Sequence, residues 1–205
     1  MNRNIWLRWA VGLPALIASA VLMSSCISHN QIAGDWVLPS SLPDGVCPEI
    51  SGRYANVGQS ADSKRPAYLS CELLSSKRNS CVIAQAKNID QVSIDKVDSG
   101  LRISAWSGGG VVESEILTAD SEAYHCKDGW ITIKNNTAKG YASSAAEFSS
   151  ITRSFGVSQG HLLERKQTEG VLLILILPIP ASTTFWYRYP LAGEGPTNSL
   201  PAPRP

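Results

Sequence analysis

From Ile50 onward the chain repeats one pattern that limits its fold: short segments rich in Val, Ile, Thr and aromatic residues alternate with Gly, Asp, Ser and Asn. This pattern predicts strands joined by tight turns. In QVSIDKV, Val92 and Ile94 fall on one side, because successive strand side chains point to opposite faces. No stretch resembles a long crossover helix. The sequence therefore predicts an all-β, mainly antiparallel fold of about ten short strands, either a small barrel or a sandwich.

The breaks between these segments have the composition of turns. The tripeptides at 98–100 (Asp-Ser-Gly) and 127–129 (Lys-Asp-Gly) adopt positive φ at little cost, so each predicts a hairpin. At most two short helices are predicted, one from Pro66 to Ser75 and one within TAKGYASSAAEF. The predicted strands are ISGRYANV, SCVIAQAK, QVSIDKV, LRISAWS, VVESEIL, AYHCK, GWITIKN, SSITRSF, HLLERK, VLLILIL and TTFWYRY.

One apolar run stands apart from the rest: VLLILILPIP occupies residues 171–180. We interpret it as a single strand that is buried on both faces and ended by Pro178. A second membrane contact and the lining of an apolar ligand cavity are the functional alternatives. The run is too short to span a bilayer, which takes roughly 20 apolar residues in a helix.

The first 25 residues have the layout of an export signal. Arg3 and Arg8 make the N-terminus basic, and AVGLPALIASAVLM follows as an apolar run of the length that a signal sequence needs. A transmembrane helix takes roughly 20 apolar residues, whereas this run contains Pro14 and stops at Ser24. We therefore expect residues 1–25 to be a signal peptide that is removed on export.

The expected cleavage point is surrounded by Met23, Ser24, Ser25 and Cys26. A large apolar residue, two small residues and a cysteine in this order resemble the lipobox of bacterial lipoproteins, with Met23 where the family prefers Leu. The resemblance implies cleavage before Cys26 and a lipid on its thiol; an ordinary secretory leader with a chance cysteine is the alternative. Ile27 follows where Asp would favour inner-membrane retention, so the resemblance implies the outer membrane of a Gram-negative envelope, facing the periplasm.

Residues 47–54, 124–129 and 186–189 are similar to segments of proteobacterial envelope lipoproteins. This resemblance implies an address in the envelope and no particular activity. The chain then divides into four parts: the signal peptide (1–25), a lipidated N-terminus and tether (26–49), an all-β domain (50–191) and a disordered Pro-rich tail (192–205).

Export to an oxidising compartment determines how the other four cysteines are interpreted. Cys47, Cys71, Cys81 and Cys126 are an even number and predict two disulfides. Four cysteines allow three pairings; we favour Cys71 with Cys81, across a short local loop, and Cys47 with Cys126. Zinc is the competitor, but the chain has no CxxC or HxxxH spacing. No metal or other cofactor is therefore expected.

Charge argues against nucleic acid as a partner. The chain has 18 Lys and Arg against 17 Asp and Glu, and loss of Arg3 and Arg8 with the leader leaves 16 basic residues. Proteins that bind nucleic acid show a basic surplus and clusters of Lys and Arg, whereas the longest basic runs here are pairs. The expected partners are the membrane, through the lipid, and an envelope protein or a cell-wall component.

Two patterns invite a catalytic interpretation. Residues 156–160, GVSQG, match the G-x-S-x-G turn that presents a nucleophilic serine, here Ser158. That chemistry needs an acid and then a histidine downstream, but the one later histidine, His161, follows with no acid in between. A hairpin turn is therefore favoured. Glu113 and Glu115 would share a strand face as a carboxylate pair does, but alternating charge on a solvated strand is commoner.

These observations leave three hypotheses about function. The first is a non-catalytic envelope module that binds another protein or a cell-wall component, and it leads because the sequence assembles no catalytic set. The second is a lipocalin-like carrier whose barrel holds an apolar ligand near Leu172, Ile174, Trp106, Trp130 and Trp186. The third is a small serine hydrolase that uses Ser158.

Overall fold

The computed structural model describes residues 32–62, 66–75, 81–118, 124–142, 145–174 and 177–193, with the backbone alone for those within 134–149 and 171–181. The predicted leader, Cys26 and the tail beyond Gly193 lie outside these residues. In the described part of the chain, no helix has the length and apolar character needed to cross a membrane.

Strands make up most of this part of the chain, with two short helices between them. The helices are α1 (Leu69–Leu73) and α2 (Ile83–Ala86). The strands are β1 (Gly52–Ala55), β2 (Val57–Ser60), β3 (Ala67–Tyr68), β4 (Gln91–Val97), β5 (Gly100–Ser107), β6 (Gly110–Thr118), β7 (His125–Lys127), β8 (Trp130–Ala142), β9 (Ala145–Ser158), β10 (His161–Ile174) and β11 (Leu177–Pro190).

The strands form two sheets in which all neighbours are antiparallel. The small sheet has the order β1-β4-β5-β6, and the large sheet has the order β3-β2-β11-β10-β9-β8-β7. Buried side chains from both sheets form one core, so the sheets pack face to face. The predicted all-β, antiparallel fold class is confirmed, and of the two predicted architectures the described strands form the sandwich.

The small sheet follows the alternation seen in the sequence. Val92 and Ile94 of β4 and Ile103 of β5 are buried in the core. The residues between them face away from it: on the outer face, Trp106 donates a hydrogen bond from Nε1 to Ser93 Oγ (3.1 Å). Apolar burial on one face alone therefore sets the pairing register of these strands.

Both predicted hairpins are confirmed. Val97 pairs with Gly100, and Lys127 pairs with Trp130, so each turn contains two residues. In the second turn the φ angles are 52° at Asp128 and 78° at Gly129. Positive φ at both positions matches the twist of the flanking strands, which explains the Asp-Gly pair.

The segment 32–49, which lies within the predicted tether, runs over the outer face of the large sheet, and we call it the covering segment. Trp36 packs against Leu163 there, and Pro39 lies directly on Gly156. A Cβ on Gly156 would be 2.6 Å from Cγ of Pro39, so this close approach needs glycine. The large sheet is consequently covered on both faces at this level.

Asn56 separates β1 from β2, which divides the predicted strand ISGRYANV into two. Its buried side chain donates from Nδ2 to the backbone carbonyls of Ala86 (2.8 Å) and Ile89 (3.1 Å). Its Oδ1 accepts a hydrogen bond from the backbone N–H of Ser70 (2.8 Å). Asn56 thereby holds both helices against the sheets. The helix predicted between Pro66 and Ser75 is confirmed by α1.

Three other predictions of local structure are wrong. SCVIAQAK, predicted as a strand, contains α2, and TAKGYASSAAEF, predicted as a helix, forms the hairpin of β8 and β9. VLLILILPIP is divided between β10 and β11, where Ile174 pairs with Leu177 and Pro178 pairs with Leu173. In the last two cases residues within the segment pair with each other across a short turn, so each segment forms a hairpin rather than a single element. The side chains of 171–181 lie outside those that the structure describes, so the burial of this run stays a prediction.

The four cysteines of the domain lie in two pairs at disulfide-bonding distance, and these are the pairs that the sequence favoured. The Cα atoms of Cys47 and Cys126 are 4.9 Å apart, and those of Cys71 and Cys81 are 5.4 Å apart. The first pair joins the covering segment to β7. The second joins α1 to the residues just before α2.

Candidate functional site

A cleft opens at one end of the sandwich, where the covering segment meets the β4–β5 turn. Its volume is about 280 Å³. Its floor includes the buried side chains of Ile50, which lies just before β1, of Leu101 in the small sheet and of Ile131 in the large sheet. We call it the end cleft, and it is lined by residues 47–51, 96–101, Tyr124 and Ile131.

The rim of the end cleft carries charge. Lys96, Asp98 and Glu49 are all exposed there. The Ser51 backbone N–H donates to Oε1 of Glu49 (2.9 Å), and hydrogen bonding from Ser51, assisted by the charge of Lys96, lowers the pKa of Glu49. An apolar floor with a few charged groups above it is the usual composition of a ligand cleft.

Ser158 is the last residue of β9 and stands beside a hairpin turn, as expected when GVSQG is interpreted as a turn. It pairs with His161 across a two-residue turn, in which Gln159 and Gly160 have φ angles of 51° and 73°. His161 Nδ1 is 2.7 Å from the backbone carbonyl oxygen of Gln159. This turn belongs to a β-hairpin, whereas a nucleophile elbow joins a strand to a helix.

The three tryptophans assigned to the carrier hypothesis do not meet at one site. Trp106 lies on the outer face of the small sheet, on the same side as Ser93. Trp130 and Trp186 lie on the outer face of the large sheet, with ring centroids 6.0 Å apart. The core therefore separates Trp106 from the other two. The side chains of Leu172 and Ile174 lie outside the described ones.

Glu113 and Glu115 do share one strand face, as predicted, but that face points inward rather than to solvent. They pair with Ala105 and Ile103 of β5, and both are half-buried. The carboxylate of Glu115 accepts the backbone N–H of Ser75 at 2.9 Å from each oxygen. It therefore ties the end of α1 to β6.

A group of charged residues that the sequence did not reveal lies inside the sandwich, between α1 and the large sheet. Glu72 of α1 forms ion pairs with Arg153 of β9 and Lys166 of β10; Lys166 Nζ is 2.8 Å from Oε1 of Glu72. Beside them, the Tyr189 hydroxyl donates to Oε2 of Glu164 (2.7 Å). We call these five residues the buried ionic cluster.

The two carboxyl groups of the cluster have opposite pKa shifts. Burial disfavours ionisation of Glu72, but the positive charges of Lys166 and Arg153 outweigh it and lower the Glu72 pKa. Burial dominates at Glu164, the charge of Glu72 adds to it, and the Glu164 pKa rises to about 8. Perturbed carboxyl groups occur both in functional sites and in structural ion-pair networks. Here the two carboxyl groups and their partners connect α1 to β9, β10 and β11 of the large sheet.

We expect Glu164→Gln to stabilise the protein above neutral pH. The folded protein keeps the Glu164 proton up to about pH 8, whereas the unfolded chain loses it near 4.5. Between these values, raising the pH removes this proton from the unfolded chain alone, so stability falls as pH rises. Glutamine still accepts the Tyr189 hydrogen bond and has no such proton. The expected gain at pH 8 is roughly 1–3 kcal/mol.

Urea denaturation at several pH values from about 5 to 8, followed by tryptophan fluorescence, measures this effect. Glu169→Gln changes an exposed glutamate of the same strand and is the control, expected to keep the pH dependence of the wild type. A Glu164→Gln protein whose urea midpoint falls with pH as steeply as the wild type would contradict the assignment.

The described residues contain no group of three or more His, Cys, Asp or Glu side chains placed to hold a metal ion. No protein family, curated protein or solved structure matches this chain.

Proposed function

We propose that this chain is a lipid-anchored binding module of the bacterial envelope, whose end cleft receives part of another envelope protein or of the cell wall. The end cleft carries the proposal, because it combines an apolar floor with a charged rim. The lipobox-like residues that end in Cys26 support the anchor. The two cysteine pairs at bonding distance suit the oxidising compartment that an exported protein enters.

A short linker would join the lipid to the domain. Trp36, which packs on the outer face of the large sheet, follows Cys26 by ten positions, and an extended chain of this length spans at most ~35 Å. A domain held in this way stays close to the membrane surface. The end cleft would then bind ligands that lie in the part of the periplasm next to the membrane.

The anchor is tested by the intact mass of the protein extracted from membranes of an expressing Gram-negative cell. We expect loss of residues 1–25, added acyl mass on Cys26, and a rise of roughly four daltons on reduction, one for each thiol released. Cys26→Ala is the control and should yield no acylated form. A wild-type product that is soluble and unacylated would overturn the anchor.

The binding role of the end cleft is tested by photocrosslinking in living cells. A benzophenone amino acid is placed at Ser99 on the exposed rim and, as the control, at the exposed Lys87, which follows α2 and does not line the end cleft. A discrete protein adduct, or attachment to isolated cell-wall sacculi, that forms at Ser99 alone supports the proposal and identifies the partner. Equal labelling at both positions, or none at Ser99, would refute it.

A further inference from the structure

The β10–β11 hairpin of the large sheet is longer than the small sheet that packs on it. β10 and β11 contain 14 residues each, whereas the longest described strand of the small sheet, β6, contains nine. At about 3.3 Å for each residue, these lengths differ by roughly 17 Å. The core residues Phe155, Leu162 and Tyr189 all lie near the turn that joins β9 to β10. The other end of the hairpin therefore extends beyond the sandwich.

The amino-acid composition of the hairpin changes abruptly along this extension. Residues 167–170 pair with 181–184, and the exposed Glu169 accepts a hydrogen bond there from Gln167 (2.6 Å). The next four pairs of residues contain no polar residue. We call these eight residues the apolar tip: 171–174 of β10 and 177–180 of β11.

The apolar tip places apolar residues on both faces of the sheet. A strand that is buried on one face alternates apolar with polar residues, because successive residues fall on opposite faces. The tip lacks this alternation, so Leu172 and Leu173 are both apolar although they fall on opposite faces. A partner protein or a second copy that packed on one face would leave the other in water. A lipid bilayer surrounds both faces at once.

The free edge of the apolar tip lacks two hydrogen-bond donors. Among the described residues β2 pairs with β11 only at Tyr187 and Arg188, so the tip of β11 lies at the edge of the sheet. Pro178 and Pro180 have no backbone N–H, and a proline fits in a paired strand only where that group would face away from the neighbour. Fewer unpaired N–H groups lower the cost of moving this edge into lipid. They also hinder pairing with the edge of a second copy.

Charge on the neighbouring strand limits how deeply the tip can enter a membrane. Glu147 of β9 pairs with Leu172, and a carboxylate is costly to move among acyl chains. The membrane boundary therefore falls near this pair. The two pairs beyond it add roughly 7 Å, which is the depth of an interfacial contact.

The lipid proposed on Cys26 can reach the same level. Trp36 packs against Leu163, and nine residues of β10, roughly 30 Å, separate Leu163 from Leu172. Cys26 precedes Trp36 by ten positions, and a chain of that length spans at most ~35 Å. The lipid and the apolar tip can therefore enter one membrane surface. Ile131 of the end cleft lies at the start of β8, far from the tip, so this contact leaves the cleft uncovered.

We propose that the apolar tip inserts shallowly into the lipid bilayer as a second membrane contact. The lipid and the tip together would hold the domain in one orientation, with the end cleft facing away from the membrane. This orientation rests on the lipid anchor proposed above, whereas insertion of the tip does not need the lipid.

The test uses the protein purified from expressing cells and reconstituted into vesicles of phosphatidylethanolamine and phosphatidylglycerol. Leu173→Cys carries the environment-sensitive dye NBD, and Val57→Cys, at a 51% exposed valine of β2, is the control. We expect blue-shifted emission at position 173, and loss of that fluorescence when the lipids carry a doxyl group high on the acyl chain. The dye at position 57 should show neither change.

A second pair of variants tests whether the apolar character of the tip causes the insertion. Adding Ile179→Asp to the labelled Leu173→Cys protein should remove most of the doxyl quenching, because a carboxylate opposes entry into lipid. Adding Val112→Asp, at a 59% exposed valine of the small sheet, introduces the same charge and should leave the quenching unchanged. Equal quenching in these two proteins would contradict the proposal.

The outcomes separate the tip from the anchor. An acylated protein whose dye at position 173 keeps its emission in water would overturn the tip and leave the anchor intact. A blue-shifted dye that doxyl lipids do not quench would mean that protein covers the tip, and it would also overturn the proposal. If the chain proves soluble and unacylated, Cys26→Ala keeps the label at one site, and the vesicles are added to that protein. Quenching at position 173 would then support the tip without the anchor, and its absence would refute the tip.

Discussion

Replacing Glu72 with leucine is expected to destabilise the folded protein by about 3–5 kcal/mol. The change removes the carboxylate that pairs with Arg153 and Lys166. The Lys166 side chain is 21% exposed and can turn to water, whereas that of Arg153 is 3% exposed and remains buried. Most of the loss therefore comes from a guanidinium left without its carboxylate. Urea denaturation followed by tryptophan fluorescence measures it.

The double variant Glu72→Leu/Arg153→Met shows how much of the lost stability comes from leaving Arg153 without its carboxylate and how much comes from the change in side-chain packing. Apolar side chains of similar volume often replace a buried ion pair at little cost, so the second substitution should recover much of the stability lost in the first. Glu169→Leu, at an exposed glutamate, is the control and should change stability by less than about 0.5 kcal/mol. If the double variant is less stable than Glu72→Leu, contacts of Arg153 other than the one with Glu72 stabilise the folded protein.

Removing the Cys47–Cys126 pair is expected to cost about 4–5 kcal/mol, more than removing Cys71–Cys81, at about 2–3 kcal/mol. The physical reason is the length of chain that each pair closes in the unfolded state. The two sequence separations are 79 and 10 residues, and the longer loop loses more entropy when it is closed.

Each pair is replaced by two alanines, and the free energies of unfolding are compared at the same pH by urea denaturation. The Cys71→Ala/Cys81→Ala protein serves as the matched control, because it also lacks one pair at bonding distance. Equal losses in the two variants would contradict the loop-length argument. A loss confined to Cys71→Ala/Cys81→Ala would mean that anchoring α1 matters more than closing the long loop.

The sequence does not predict the buried ionic cluster. HLLERK was interpreted as a strand, correctly, but nothing in its alternation indicates that Glu164 is completely buried. One signal was available: Leu162 and Leu163 are adjacent and both buried, as expected for a strand covered on both faces. The partners Glu72 and Tyr189 lie on α1 and β11, so the chain brings them together only when the sheet has formed.

The end cleft is equally unpredictable from the sequence, although several of its residues lie in segments with a recognisable pattern. The turn at 98–100 was predicted as a hairpin, and Cys47 was expected to pair with Cys126. Their meeting at one end of the sandwich depends on the path of the covering segment across the large sheet. That path follows from the packing of Trp36 and from the space above Gly156.

The sequence by itself determined the all-β class and the two hairpin turns, and it favoured one of the three possible cysteine pairings without deciding it. The class and the turns follow from the alternation of side chains along a strand and the φ angles that a residue tolerates, which are local properties. Only the tertiary structure decided that the sheets form a sandwich, that 171–180 is divided between two strands, and that Glu164 is buried. Burial depends on what covers a side chain, and here the covering residues are far away in the sequence.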